Sequence, residues 1–393
     1  MQTPLQNQHK QKRWLTACYL LSFIAMGLGE AILGPTLPTL AKQTASTIAQ
    51  ISFLFTAIGL GHMIGAFAGG RLYDHLHGHW VTIAMLLAIA LVFFLIPAVS
   101  SLWLLAILIL LLGIAQGTMD VGTNTMLIWV HDDASAPYLN ALQFFFGLGA
   151  FLCPLLIARS MLLTNSIEPA FWIVALSMLP AALWLMFLRP PQKRDLPTAE
   201  IKTVAQPRLV LIIAIFLMLY IGTLVGFSGW LYTIITSEQI MPPEQAAYLV
   251  SAFWGALTVG RLLMIPISSR VKPLKLLYFD VLGCMLSITL FILFRNSIPM
   301  IWITTILMGL FIASVFPSTI AHANKYLSMS GKVTGLIFLG GNTGTMLIPW
   351  ILGQIFASMG GRAVPIAILV DLLLTFAFLV ILSTYSKKLP LRV

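Results

Sequence analysis

Long apolar runs that recur along the whole chain are the feature that most constrains its fold. From Trp14 onward, run after run reaches the length of about 20 residues that a helix needs to cross a bilayer. Hydrophobic residues make up 59% of the 393 residues and charged residues only 9%. Because water-soluble domains do not have such a composition, we predict an all-α membrane protein that crosses the bilayer many times.

Polar residues, prolines and charge clusters divide these runs into twelve predicted spans. The spans cover residues 14–41, 48–73, 79–98, 102–130, 137–161, 169–189, 209–237, 245–268, 274–294, 299–325, 331–358 and 362–386. The longest polar interruption separates the sixth span from the seventh and has the composition of a linker. We therefore expect an N-terminal six-helix bundle over residues 1–189, a cytoplasmic linker over 190–208 and a C-terminal six-helix bundle over 209–393.

The two halves share a pattern of glycine and proline at one offset. A shift of 195 residues superimposes five pairs, which are Gly27 with Gly222, Gly34 with Gly229, Gly65 with Gly260, Gly149 with Gly344 and Pro154 with Pro349. Five matches in corresponding helices indicate a duplicated six-helix unit. Two such repeats usually hold a substrate site between them near the middle of the membrane, reached from alternate sides.

The positions of lysine and arginine predict the topology. With the N-terminus inside, all but four of the 22 lysines and arginines lie in cytoplasmic tails, loops or adjacent helix ends. The exceptions are Lys42, Arg159, Arg295 and Arg362. We expect a monomer in a bacterial cytoplasmic (inner) membrane, with both termini in the cytoplasm. Because the formal charge of +10 is spread over short loops, no nucleic-acid partner is expected.

Signatures of enzymes are missing from the sequence. It contains no HExxH, GxSxG, Walker or CxxC motif, so neither an enzyme nor an ATP-driven pump is predicted, and no cofactor is expected. The segment DHLHGHW places Asp74, His75, His77 and His79 between the second and third spans. Alternating histidines could bind a metal, but a solvated connector between two helices is the interpretation that the sequence favours.

A wider segment around these histidines resembles a known loop signature. GGRLYDHLHGHW resembles the signature of the major facilitator superfamily, with Gly70, Asp74 and Gly78 in the matching places. The last of these glycines comes one residue late, and histidines stand where arginine or lysine is usual. The resemblance implies a twelve-helix fold that works by alternating access.

Further segments resemble two branches of that superfamily, the fucose-proton symporters and the sodium-dependent glucose transporters. In the fourth and fifth spans the matching residues are Gly117, Asp120, Asn124, Asn140, Gln143, Phe144, Gly149 and Ala150. The later segments FSGWLYT, FWGALTVGRLLMIPISSRVKP and GLFIASVFPSTIAHA resemble the sodium-dependent glucose transporters. The resemblance implies transport of a sugar coupled to a cation.

An acidic side chain interrupts the fourth span. Asp120 lies about 6 Å to the cytoplasmic side of the middle of the span, and Asn124 lies one turn away on the same face. An ionised carboxylate there costs about 2.5 kcal/mol or more, so it persists where it faces a cavity, has a partner or takes up a proton. In the resembling symporters the acid of helix four takes part in cation coupling, which implies that role for Asp120 with Asn124. The alternative is a structural aspartate held by neighbouring Asn and Thr side chains.

Glu30 is the acid of the first span, about 3 Å to the outer side of its middle. The resembling symporters have an acid in helix one, one residue away in register when Pro35 is aligned with their proline. Glu30 is therefore a second candidate for cation coupling, and a gate or a packed structural carboxyl is the alternative. The coupling ion is H+ or Na+.

Three further charges suggest structural or gating roles. Arg261 and Asp280 lie at matching depths in consecutive antiparallel spans, which predicts a buried ion pair. Asp74 belongs to the loop signature. Asp371 and His62 have no partner that the sequence identifies, and lone polar residues in a helical bundle are more often packing elements.

Amides and aromatic rings suited to a sugar complete the candidate set. Sugars present hydroxyl edges to amides and C–H faces to flat rings. The candidates for substrate binding are Asn140, Gln143, Tyr220, Trp230 and Asn342. Trp230 could instead belong to an interfacial aromatic belt. We predict a cation-coupled importer of a small molecule, a hexose; an exporter of a drug or metabolite is the alternative within transport, and a receptor or passive pore the alternative outside it.

Overall fold

The computed structural model describes residues 4–191, 206–268, 270–327 and 331–390, and over these residues it contains no strand. Its helices are α1 (Pro4–Glu30), α2 (Leu33–Gln43), α3 (Ile48–Ile51), α4 (Phe53–His75), α5 (Gly78–Leu95), α6 (Leu102–His131), α7 (Ala136–Thr164), α8 (Glu168–Phe187), α9 (Pro207–Ser237), α10 (Pro243–Ser268), α11 (Pro273–Leu293), α12 (Ile298–Ile312), α13 (Val315–Ala323), α14 (Gly331–Met359) and α15 (Ala363–Ser386). Short 3₁₀ helices follow α5 and α6.

These helices provide eleven spans long and apolar enough to cross a membrane, or twelve if α1 and α2 form one bent span. The predicted all-helical class and the predicted set of spans are therefore confirmed. The bend between α1 and α2 measures 47°. It begins at Ala31, four residues before Pro35, and the break between α12 and α13 begins at Ala313, four residues before Pro317. A proline cannot donate to the carbonyl four residues earlier and its ring crowds that carbonyl, so both prolines favour a break there.

Large apolar side chains cover the outside of the helices. Phe187 is 85% exposed and Trp103 is 74% exposed. A surface of this kind aggregates in water but is well solvated by lipid chains. The lipid bilayer is therefore the environment that fits these helices.

The described chain groups into two compact units by its internal contacts. Unit 1 comprises residues 1–46 and 57–196, and unit 2 comprises Thr47–Thr56 with residues 197–393. Most of the predicted linker, residues 192–205, lies outside the described part. The short segment from Thr47 to Thr56 thus groups with the second half of the sequence although it forms the start of the second span.

Unit 1 is held together by helices that touch through glycine. A Cβ at Gly27 of α1 would lie 2.0 Å from the carbonyl oxygen of Phe146 in α7. From the other side, a Cβ at Gly149 of α7 would lie 2.0 Å from the carbonyl oxygen of Ile24. Backbones this close leave no room for any side chain, so glycine is required at both positions.

Unit 2 repeats this contact between α9 and α14. A Cβ at Gly344 would lie 2.0 Å from the carbonyl oxygen of Met218, and one at Gly222 would press on Ile348. Gly149 and Gly344 are one of the pairs that the offset of 195 residues relates. Equivalent glycines thus make equivalent helix contacts in each unit, which supports the duplicated six-helix unit.

The Thr47–Thr56 segment is fixed to unit 2 by hydrogen bonds. Its helix α3 starts with a capping box, in which Thr47 and Gln50 each bond the other's backbone N–H through their side chains. Gln354 Nε2 of α14 donates to the carbonyl of Ala49 at 3.0 Å, and Thr56 Oγ1 donates to the carbonyl of Met346 at 3.2 Å.

Candidate functional site

The two carboxylates predicted to couple a cation both lie in unit 1. Glu30 is the last residue of α1, at the bend, and Asp120 lies in the second half of α6. The Asn124 Nδ2 atom donates to the Asp120 Oδ1 atom at 3.0 Å and to its backbone carbonyl at 2.8 Å. The four-residue spacing predicted this contact, and it leaves the other carboxylate oxygen of Asp120 open to a further partner. Both carboxylates are half-buried.

His62 of α4 is a further ionisable residue inside the spans of unit 1. It is half-buried, and no hydrogen bond joins its side chain to Glu30 or Asp120 in the described part of the chain.

Close packing of α4 on α6 places the backbone of His62 against Gly117, about one turn before Asp120. A Cβ at Gly117 would lie 2.2 Å from the carbonyl oxygen of His62, and one at Gly65 would lie 2.1 Å from the carbonyl oxygen of Ile114. Thr118 Oγ1 donates to the Gly65 carbonyl at 3.1 Å. With no side chain between the two backbones, the register of His62 against the Asp120 turn is fixed.

Gln116 is a site residue that reasoning from sequence missed. It stands one turn before Asp120 on α6, is 1% exposed, and neither its Nε2 nor its Oε1 atom has a hydrogen-bond partner among the described residues. A Cβ at Gly29 would lie 3.2 Å from the Gln116 Nε2 atom, so the amide packs against the residue next to Glu30. A buried polar group without a partner costs about 1–3 kcal/mol, so this amide is suited to a polar ligand or a neighbouring carboxyl.

Two predicted substrate residues in unit 1 have exposed side chains. Asn140 and Gln143 stand three residues apart on α7, so they share one face of that helix, and both are exposed. Their amides can therefore meet hydroxyl groups of a ligand.

The aromatic candidates of unit 2 are enclosed by protein. Trp230 is 0% exposed, its Nε1 atom donates to the Pro349 carbonyl at 2.8 Å, and its ring stacks on Phe356 at 5.5 Å between centroids. Such a residue does not form an interfacial belt. Tyr220 is buried and its hydroxyl donates to the Ile312 carbonyl at 3.0 Å, at the end of α12. Both side chains thus have structural partners, and their substrate role stays a prediction, as does that of half-buried Asn342.

The expected ion pair between Arg261 and Asp280 is not formed. Asp280 instead accepts a short hydrogen bond from Ser314, in the break between α12 and α13. The Arg261 Nη1 atom is buried without a hydrogen-bond partner among the described residues. The prediction failed because the helix break brings a hydroxyl to Asp280, which depth along a span cannot reveal.

The remaining polar candidates, Asp371, Asp74 and His79, lie in different parts of the structure and do not form one cluster with each other. Asp371 is buried and accepts a hydrogen bond of 2.5 Å from Thr223, as a satisfied packing element does. Asp74 is exposed at the end of α4. His79 is buried, with its Nε2 atom 2.9 Å from the Tyr19 hydroxyl and its Nδ1 atom 3.1 Å from the Leu188 carbonyl, so it ties α5 to α1 and to the end of α8.

Two duplicated helical units with ionisable groups inside the spans are the organisation of a secondary transporter. The chain belongs to the Major Facilitator Superfamily, whose sequence profile matches residues 19–349. It is therefore a multi-pass membrane transporter of small molecules and not an enzyme.

Similar proteins agree with this assignment. Major facilitator superfamily domain-containing protein 4A of Pongo abelii is 26% identical, with 95% of this chain and 92% of the relative covered. Sodium-dependent glucose transporter 1 of Homo sapiens is also 26% identical, with 84% and 71% covered.

Solved structures show the same fold. A crystal structure of nucleoside transporter NupG has a TM-score of 0.73 at 15% identity, with 96% of this chain and 99% of that chain covered. A bacterial homolog of the human lysosomal transporter Spinster, in an inward-facing and occupied conformation, has a TM-score of 0.76 at 13% identity, with 98% of each chain covered. At these identities the likeness supports the fold alone.

Proposed function

We propose that this protein takes up a sugar together with a cation, H+ or Na+, by alternating access. The observation that carries the proposal is the presence of two half-buried carboxylates inside the spans of unit 1, Glu30 at the end of α1 and Asp120 in α6. The name of the similar human protein, sodium-dependent glucose transporter 1, supports both a sugar and a coupled cation.

The carboxylates give a physical reason for coupling. Two like charges in a medium of low dielectric constant repel each other and are costly to keep ionised. A bound cation lowers that cost, so the loaded carrier reorients more readily than the empty one. Substrate and cation then favour each other's binding by the same factor, as linkage requires.

The amides of α7 provide the substrate contacts in this proposal. Asn140 and Gln143 are exposed on one helix face, and an amide both donates to and accepts from sugar hydroxyls. Asn342 of α14 is the amide candidate in unit 2. The polar atoms of Trp230 and Tyr220 already have partners, so in the present conformation these two side chains contribute to the packing of unit 2.

Asp120→Asn tests the coupling role. The substitution removes the charge but keeps the side-chain size, so the carrier should still reorient with substrate bound. In proteoliposomes we expect accumulation of radiolabelled D-glucose to be lost while exchange of glucose between the two sides persists, because exchange needs no net movement of the cation. An Asp120→Asn protein that still concentrates glucose against a gradient would refute the role.

Gln143→Ala serves as the contrasting variant. It removes a proposed hydroxyl partner and should weaken binding by about 0.5–1.5 kcal/mol, the net value of a neutral hydrogen bond. Accumulation and exchange should then fall together at low glucose concentration and recover at high concentration. Unchanged uptake at low concentration would exclude Gln143 from the substrate site.

A further inference from the structure

Arg261 of α10 is a charged residue inside unit 2 that the function as proposed so far does not use. It stands seven residues before Ser268, the last residue of α10, and so about 10 Å inside the span. The side chain is half-buried, and its Nη1 atom is enclosed by protein without a hydrogen-bond partner among the described residues. Because a guanidinium in a protein does not lose its proton, this donor stays charged.

The helix that carries Arg261 is held in close contact with α12. A Cβ at Gly309 of α12 would lie 2.5 Å from the Phe253 carbonyl oxygen, and one at Gly260 would lie 2.8 Å from the Ala313 Cβ atom. Gly260 directly precedes Arg261, and Ala313 is the first residue of the break between α12 and α13. The guanidinium is therefore carried on a backbone whose position against this break is fixed.

Asp280 of α11, the residue that could have neutralised Arg261, has a different partner. It accepts a hydrogen bond from Ser314, the second residue of the same break. Tyr220 donates to the carbonyl of Ile312, the residue before the break. Among the described residues no carboxylate lies within ion-pair distance of Arg261. The break thus provides partners for Asp280 and Tyr220 and leaves the guanidinium able to bind an anion.

The chemistry of a buried guanidinium indicates which anion. An ionised group inside a membrane span is costly, so it persists where it has a partner or faces a cavity. A planar guanidinium can hold a carboxylate through two parallel N–H···O bonds. One positive charge balances one carboxylate, whereas a phosphate group carries nearly two negative charges and would need a second cation. Broken spans also mark binding sites in transporters.

We propose that Arg261 binds a carboxylate of the transported sugar, so that the substrate class is a sugar acid such as a hexuronate. The Nη1 atom donates to a carboxylate oxygen, and the charge of the ligand provides the partner that Asp280 does not. A neutral hexose lacks this contact and therefore binds more weakly. The inference rests on the sugar transport proposed above.

Ligand-dependent unfolding of the purified full-length protein compares two sugars that differ at one carbon. D-glucuronate has a carboxylate where D-glucose has a hydroxymethyl group. The melting temperature is measured against the concentration of each sugar at equal sodium concentration and ionic strength, which keeps the coupling cation constant. We expect glucuronate to stabilise the wild type at concentrations about tenfold or more below those that glucose needs, because a charge-assisted hydrogen bond is roughly twice as strong as a neutral one.

Substitutions of Arg261 test whether this residue causes the preference. Arg261→Gln should weaken glucuronate binding by about 10- to 100-fold and change glucose binding by less than about twofold. Arg261→Lys keeps the charge but not the planar fork, so it should recover part of the affinity, and it replaces Arg261→Gln if that variant does not fold. Arg270→Gln is the matched control, because Arg270 is an exposed arginine just beyond the end of the same helix. It should bind both sugars as the wild type does.

Sodium chloride and sodium acetate are two further arms, which distinguish a sugar acid from an inorganic anion and from a carboxylate alone. The inference is overturned if either salt stabilises the wild type as strongly as glucuronate does, or if glucose binds as tightly as glucuronate. It is also overturned if Arg261→Gln keeps the preference of the wild type, as a purely gating role would predict. Stabilisation by glucose without glucuronate overturns this inference and leaves the proposed sugar transport standing. If neither sugar stabilises the protein, both fail.

Discussion

At the scale of single residues, Gln116 and Asp120 are polar side chains one turn apart on α6; Asp120 accepts a hydrogen bond from Asn124, whereas Gln116 has no partner among the described residues. A carboxylate in an apolar span is costly and stands out in any sequence. A glutamine is a milder interruption, so its importance becomes visible only from its burial and from the absence of a partner among the described residues. Residues of this kind reduce stability and are retained where function uses them.

Gln116→Met tests whether this amide lowers stability and is needed for transport. Methionine fills a similar volume without a buried polar group, so we expect the protein to gain about 1 kcal/mol of stability and to lose transport. The measurements are the melting temperature of the purified protein and the initial rate of uptake. A lower melting temperature with unchanged uptake would show that the amide has a stabilising partner and no part in the site.

At the scale of helices, glycine contacts and helix breaks determine what each element does. The bend after Glu30 ends α1 at a carboxylate. The break before α13 leaves the Ile312 carbonyl free to accept a hydrogen bond from Tyr220, and it places Ser314 against Asp280. Irregular backbone inside a membrane is tolerated where protein groups satisfy it, as these side chains do. Discontinuous spans of this kind often mark binding sites in transporters.

Gly344→Ala tests the contact between α9 and α14. The new Cβ would lie 2.0 Å from the Met218 carbonyl oxygen, so the helices must separate and we expect a loss of about 1–3 kcal/mol of stability. Gly335→Ala is the matched control in the same helix, because a Cβ there meets no described atom within 4 Å. It should be neutral or gain up to about 1 kcal/mol from helix propensity. The melting temperatures of the two variants are compared with that of the wild type. Equal changes would show that the contact between α9 and α14 does not contribute to stability.

At the scale of the whole molecule, the distribution of lysine and arginine predicts which ends of the spans face the cytoplasm and which face the opposite side of the membrane. The positive-inside pattern is a property of the sequence and predicts that both termini face the cytoplasm. The exposed apolar surface of the helices limits the chain to orientations that keep its spans in the bilayer.

Labelling of single cysteines checks this topology. His75→Cys and Lys388→Cys should react with a membrane-impermeant thiol reagent only from the cytoplasmic side, and Ser101→Cys and Asn296→Cys only from the opposite side. All four positions are exposed, whereas the native thiols are buried and should react slowly. Labelling of Ser101→Cys from the cytoplasmic side would overturn the predicted orientation.

The sequence by itself determined the class of the molecule and the contacts made along a single helix. Span length and apolar composition are local properties, so the helical spans could be predicted without any knowledge of packing. The contact of Asn124 with Asp120 followed from the pitch of one helix. The glycine pairs at one offset likewise anticipated the helix contacts that recur in both units.

The tertiary structure alone decided which groups meet across different helices. The backbone of His62 lies against Gly117, Gln116 is buried without a partner among the described residues, and Asp280 bonds Ser314 instead of pairing with Arg261. These contacts depend on the rotation and register of each helix against its neighbours and on where a helix breaks. Depth along a span fixes neither the rotation nor the register, because both are set by the packing of side chains from distant parts of the chain.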